Sequence, residues 1–179
     1  AHLLGTLAWS VDQRIMFAVI FTGINGDLNE QTQSRLKTSL GALGDDFIKV
    51  LEVPTSDEGA AYQSLKDDVF SMINERSKGK SALPVLVTMK NKYRISAIEA
   101  LAKDISMKFG DDLVGLYIDD EADQASLNTY ARSNSRSEDW EDEEFSSTYA
   151  SIVKLRSILK NHSYIQYTAT PQAPSTGSR

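Results

Sequence analysis

Short apolar runs alternate along this chain with longer stretches in which apolar residues recur every three or four positions. The runs are Ile15–Phe21, Phe47–Val53, Pro84–Met89, Leu113–Ile118 and Ser163–Tyr167. The first, Ile-Met-Phe-Ala-Val-Ile-Phe, is nearly continuous, which suits a strand covered on both faces, as in a parallel sheet. Around the runs lie helical stripes. Leu3, Leu4, Leu7, Ala8 and Val11 share one, and Leu28, Leu36, Leu40 and Leu43 the next. Tyr62, Leu65, Val69 and Ile73 form a third; Ile95, Ile98, Leu101, Ala102, Ile105 and Phe109 a fourth; Tyr149, Ile152, Leu155 and Leu159 a fifth. Asp27 and Ser56 stand where caps of the second and third helices are expected. Gly41 and Gly44 frame the end of the second helix, and Pro54 stops the second strand. Strict alternation of helix and strand predicts an α/β fold: a three-layer, parallel sheet with helices on both faces and right-handed crossovers.

One stretch breaks the rhythm. Residues 123 to 144 are polar and end in Glu138, Asp139, Glu141, Asp142, Glu143 and Glu144. They predict a loop longer than the roughly 12–15 residues usual inside a domain. Those six carboxylates equal the whole net charge of −6, so the rest of the chain is balanced and the acidity is local. The length of 179 residues, 41% of them hydrophobic, allows one domain with a real core. That domain is expected over residues 1 to 173, followed by a small, polar, disordered tail from Pro174 to Arg179. The chain has no cysteine, which excludes disulfides and thiolate metal sites, and only His2 and His162, which excludes a histidine-rich one. No apolar run approaches the ~18 residues of a membrane span, and no signal peptide is visible, so a cytoplasmic protein without a membrane partner is expected.

The candidate chemistry sits at the end of the fourth run, in Leu116-Tyr117-Ile118-Asp119-Asp120-Glu121-Ala122-Asp123. An apolar strand running into carboxylates puts acidic side chains at the carboxyl edge of a parallel sheet, where such folds bind ligands. Oxygen-only donors suit a hard cation, so Mg2+ is the expected metal, held by Asp120. Glu121 is then the group that orients or deprotonates an attacking water, with ATP as substrate. Elsewhere the residues leave their roles open. Gln31 and Arg35, one helical turn apart, suit a nucleic-acid backbone or a solvated helix face. Lys90, at a strand end, suits a phosphate or plain solvent. Trp9 reads as core, and His162 as structural or exposed.

The same segment, Ile118 through Thr129, resembles the Walker-B region of the Z1 domain family of bacterial helicase-like P-loop ATPases. Tyr164-Ile165-Gln166-Tyr167-Thr168-Ala169-Thr170-Pro171-Gln172-Ala173 resembles that family's third motif, about 45 residues downstream. Phe21-Thr22-Gly23-Ile24 with Leu28 through Leu36, and Val87-Thr88-Met89-Lys90-Asn91-Lys92, resemble its segments between the phosphate loop and Walker B. The resemblance spans nearly the whole chain. It implies the first RecA-like lobe of a superfamily 2 helicase-like ATPase that acts on DNA or RNA. Proteins of this kind are found near bacterial restriction or defence genes and described as endonucleases. It further implies that Thr168 and Thr170, with Asp123, couple the nucleotide site to strand movement. Thr22, Gly23, Asn29, Gln31, Arg35, Thr88, Lys90 and Asn91 would be the nucleic-acid contacts. No Gly-x-x-x-x-Gly-Lys-Ser/Thr occurs. The family places that loop just ahead of the first helix, and a second lobe after Pro171, so the fragment alone is expected to be inactive. Two other readings stay open: an NTPase fold that has become a non-catalytic interaction module, and a metal-dependent nuclease using Asp119, Asp120, Glu121 and Asp123.

Overall fold

A computed structural model describes residues 2–23, 26–41, 47–79, 82–110, 112–120 and 140–167. Their order is α1 (His2–Asp12), β1 (Ile15–Thr22), α2 (Gly26–Gly41), β2 (Ile48–Glu52), α3 (Ala60–Ser77), β3 (Leu83–Met89), α4 (Lys92–Phe109), β4 (Val114–Asp120), α5 (Trp140–Ile158) and β5 (His162–Tyr167). The strands form a five-stranded sheet in the order β2-β3-β1-β4-β5, with every pairing parallel. This is the α/β three-layer architecture that the alternation predicts.

Side-chain alternation divides the core into two faces. Phe17, Val19, Phe21 and Tyr117 point to one face and pack with Tyr62, Leu65 and Val69 of α3, Ile98 and Leu101 of α4, and Ile152 and Leu155 of α5. Ala18, Ile20, Leu116 and Ile118 point to the other, which Leu7 of α1 and Leu36 of α2 cover. The crossover from β1 leftward to β2 runs over the α2 face. The three crossovers that move the other way run over the opposite face, so all share one hand, as right-handed crossovers require. Close packing shows at Gly115 in β4: a Cβ there would lie 3.0 Å from the Phe17 ring and 3.4 Å from Leu159.

Several local expectations change. Ser56 does not cap α3; its Oγ accepts from the Glu58 amide in a local turn, and the helix starts after Gly59, whose φ of 86° suits glycine. Asp27 lies inside α2, which starts at Gly26. Trp9 is not core but 52% exposed, and Ser10 takes the buried position beside it, its hydroxyl bonded to the Thr6 carbonyl. Residues 140–144, read as loop, belong to α5. Acidic residue types are favoured in the first turn of a helix, where they complement its dipole, so a charge run does not by itself exclude helix. Finally, β4 runs on through Asp119 to Asp120, past the Ile118 end that the apolar run suggests. No helix among the described residues is long and apolar enough to cross a membrane.

Candidate functional site at the carboxyl edge of the sheet

Because β4 includes both aspartates, alternation sends them to opposite faces. Asp119 follows Tyr117 onto the α3/α4/α5 face; Asp120 follows Ile118 onto the α1/α2 face. Two carboxylates adjacent in sequence thus belong to two environments.

Asp119 is fully buried, and both its oxygens are engaged. Lys90 Nζ lies 2.6 Å from Oδ1, with neither side chain exposed to solvent. Tyr164 donates its hydroxyl to Oδ2 at 2.8 Å. The Tyr164 ring in turn carries the Arg156 guanidinium 4.1 Å from its centroid. Lys90 follows β3, Asp119 is the penultimate residue of β4 and Tyr164 lies on β5, so the contact reaches over β1 and ties three strands together. Beneath Lys90, the Thr22 hydroxyl donates to the Thr88 carbonyl at 3.2 Å and the Thr88 hydroxyl to the Met89 carbonyl at 3.3 Å.

Asp120 is half-buried and pairs in register with Tyr167 of β5. The Tyr167 hydroxyl is 2.5 Å from Thr6 Oγ1 of α1. The end of α1 turns through Gln13 and Arg14 into the start of β1, where Arg76 donates to the carbonyls of Val11 and Ile15. The helix therefore runs antiparallel to the strands, and its N-terminal end points to the edge that holds Asp120. Among the described residues no group of three or more His, Cys, Asp or Glu could enclose a metal. One carboxylate at a sheet edge does fit Mg2+ in its common mode, in which one or two protein carboxylates share the ion with waters and substrate phosphates.

The expected nucleic-acid contacts divide by burial. The side chains of Thr22, Thr88 and Lys90 turn inward and are at most 3% exposed, so they present no surface to a phosphate; their contacts are the internal ones just described. Gly23 is also buried. Gln31 and Arg35 are exposed on α2, which also carries Asn29. Asn91 is half-buried and caps α4, its Oδ1 accepting from the Tyr93 amide at 3.0 Å. Glu121, Asp123, Thr168 and Thr170 lie outside the described residues. His162 is structural: its Nδ1 is 2.9 Å from the Leu159 carbonyl and its ring meets the edge of Tyr117.

Two features escape the sequence pattern. Tyr164 reads as one more apolar strand residue, yet its hydroxyl joins the buried ion pair. Tyr93 stands 60% exposed at the start of α4, with Lys92 Nζ 5.1 Å from its ring centre. In the sequence this feature shows as an aromatic beside Lys92, directly after Lys90-Asn91. Comparison with models of protein families and with curated proteins finds no match to this chain.

Proposed function

We propose that this chain is the first lobe of a nucleic-acid-dependent, helicase-like ATPase of Z1 type, and that Asp120 marks its magnesium–nucleotide site. The observation that supports this most is the pairing of Asp120 with Tyr167, whose hydroxyl meets Thr6 of α1. The carboxylate and the N-terminal end of α1 thus share one edge and one face of a parallel sheet. That is where a phosphate loop leading into α1 would bring nucleotide phosphates, and helix N-termini favour such anions.

Topology adds support. A strand leading into α1 would cross to β1 over the α1/α2 face, the face used for leftward moves. With right-handed crossovers it must start on the β4/β5 side of β1. The positions beside β1 and β4 are taken, which leaves the edge beyond β5. β5, His-Ser-Tyr-Ile-Gln-Tyr, has no Lys, Arg, Asp or Glu, whereas β2 at the opposite edge carries exposed Lys49 and Glu52. Charges of that kind discourage pairing at an edge, and β5 lacks them.

In the reaction, a water oxygen bonds to the γ-phosphorus while the bond to the β,γ-bridging oxygen breaks, giving ADP and phosphate. Magnesium, when bound with ATP, neutralises charge on the phosphate oxygens. Asp120 would hold the ion, and Glu121 would orient the water and take its proton. Thr168 and Thr170, with Asp123, would relay the nucleotide state. Nucleic acid would meet Asn29, Gln31 and Arg35 on α2 and the surface around Asn91 and Tyr93.

Titrating the full-length protein with single-stranded DNA at several salt concentrations tests the nucleic-acid half of this reading. Arg35→Ala should weaken binding and lower the salt slope by about one. An unchanged affinity and slope would assign Arg35 to a solvated helix face.

A further inference from the structure

We propose that Lys90, Asp119 and Tyr164 form a positioning unit that holds Asp120 in the geometry required to bind a divalent cation. The proposal rests on the reading of Asp120 given above and adds three residues that would not touch the metal.

Stability is a poor explanation of the network. A buried ion pair must overcome the desolvation of both charges, and apolar residues of similar volume often do as well or better. The position itself asks for an apolar residue. Residue 119 lies in a strand that is otherwise apolar on that face, between Phe21 of β1 and Gln166 of β5 in the sheet register. An aspartate there gives direction instead. Its two oxygens are gripped from opposite strands, Oδ1 by Lys90 at 2.6 Å and Oδ2 by Tyr164 at 2.8 Å. With its side chain held on one face, the peptide joining residues 119 and 120 is fixed, and the next side chain must leave from the other face. Lys90 also offsets the charge of Asp119, so the field at Asp120 is not raised by a second bare carboxylate one residue away. Removing a group that orients a ligand without touching the metal commonly lowers metal affinity or activity 10- to 100-fold.

The least disruptive variant is Tyr164→Phe. It keeps the ring beneath Arg156 and removes only the hydroxyl. Manganese(II) serves as the probe, titrated with ADP into the full-length protein and followed by electron paramagnetic resonance. Melting temperatures are measured alongside, and Ile98→Val supplies a core variant that makes none of the network's polar contacts. Tyr164→Phe should weaken Mn2+ about tenfold or more, while Ile98→Val leaves Mn2+ affinity within about twofold even where it lowers the melting temperature. Lys90→Met should act in the same direction as Tyr164→Phe; if it fails to fold, Tyr164→Phe alone decides. Equal Mn2+ affinity in wild type and Tyr164→Phe overturns the positioning role while leaving Asp120 as ligand. Wild-type Mn2+ binding that is absent, or that survives Asp120→Asn, removes the metal reading and the positioning role with it.

Discussion

At the scale of single residues, the interior carries two kinds of buried polar group. The Asp119 carboxylate is engaged on both oxygens, by the Lys90 ion pair at Oδ1 and the Tyr164 hydrogen bond at Oδ2, whereas the Tyr117 hydroxyl is buried with no hydrogen-bond partner among the described residues. The Tyr117 ring explains its retention: it stacks on Phe21 and meets Phe17 and His162 edge-on. The hydroxyl costs about 1–3 kcal/mol for lost hydration. Burial also raises its pKa well above that of an ordinary tyrosine. The folded state therefore keeps a proton that the unfolded chain releases near pH 10, and stability conferred below that pH is lost as pH rises beyond it. Tyr117→Phe should melt at the same or a higher temperature at pH 7 and should lose less stability between about pH 9 and 11, where an ordinary tyrosine ionises. Thermal melts followed by circular dichroism measure both. A marked drop in melting temperature at pH 7 would show that the hydroxyl has a partner.

The Lys90–Asp119 contact is a residue-scale feature that sequence reading could not supply. Lys90 stands beside Asn91 and Lys92 and so reads as surface, and Asp119 reads as one of a carboxylate run. Only the strand order brings the end of β3 within reach of β4 across β1.

At the scale of elements, α4 shows how one residue can carry a structural duty at a place proposed for binding. Asn91 has an extended backbone, φ −122°, and its side chain accepts from the Tyr93 amide. Loss of such a cap costs about 0.5–2 kcal/mol. Asn91→Ala should lower the melting temperature by a few degrees, whereas Asn91→Asp keeps a capping oxygen and should hold stability close to wild type. If this surface also meets a phosphate backbone, Asn91→Asp should weaken DNA binding despite its stability, because it adds a negative charge. Unchanged DNA affinity in Asn91→Asp would confine Asn91 to its cap. Strands were legible in the sequence because both faces of the sheet are covered, which makes each strand a continuous apolar run. Helix starts were less so. Ser56 has the right side chain in the wrong place, since a local turn claims its hydroxyl and Gly59 precedes the helix. The acidic residues 141–144 look like loop because charge count carries no information on helical phase.

At the scale of the whole molecule, alternation of elements predicts a parallel sheet but not its strand order. The order β2-β3-β1-β4-β5 puts β1 at the centre and gives the site its two sides. Asp119, with Lys90 and Tyr164, lies on one face; Asp120, with Tyr167 and α1, lies on the other. That division weighs against a nuclease built on all the carboxylates of the segment together, because Asp119 is enclosed and faces away from Asp120. The two proposed readings that do not need Asp119 at the site, an ATPase lobe and a non-catalytic module of the same fold, can be separated by catalysis. The measurement is ATP turnover and nucleotide affinity of the full-length protein, with and without DNA, in wild type, Asp120→Asn and Glu121→Gln, with circular dichroism to confirm folding. A group that acts mainly in the transition state changes rate more than ground-state binding. Glu121→Gln should therefore keep ATP affinity and lose turnover by about 100-fold or more, and Asp120→Asn should weaken magnesium–ATP as well. Turnover that survives Glu121→Gln would contradict the catalytic assignment and leave the interaction module as the better account of the fold.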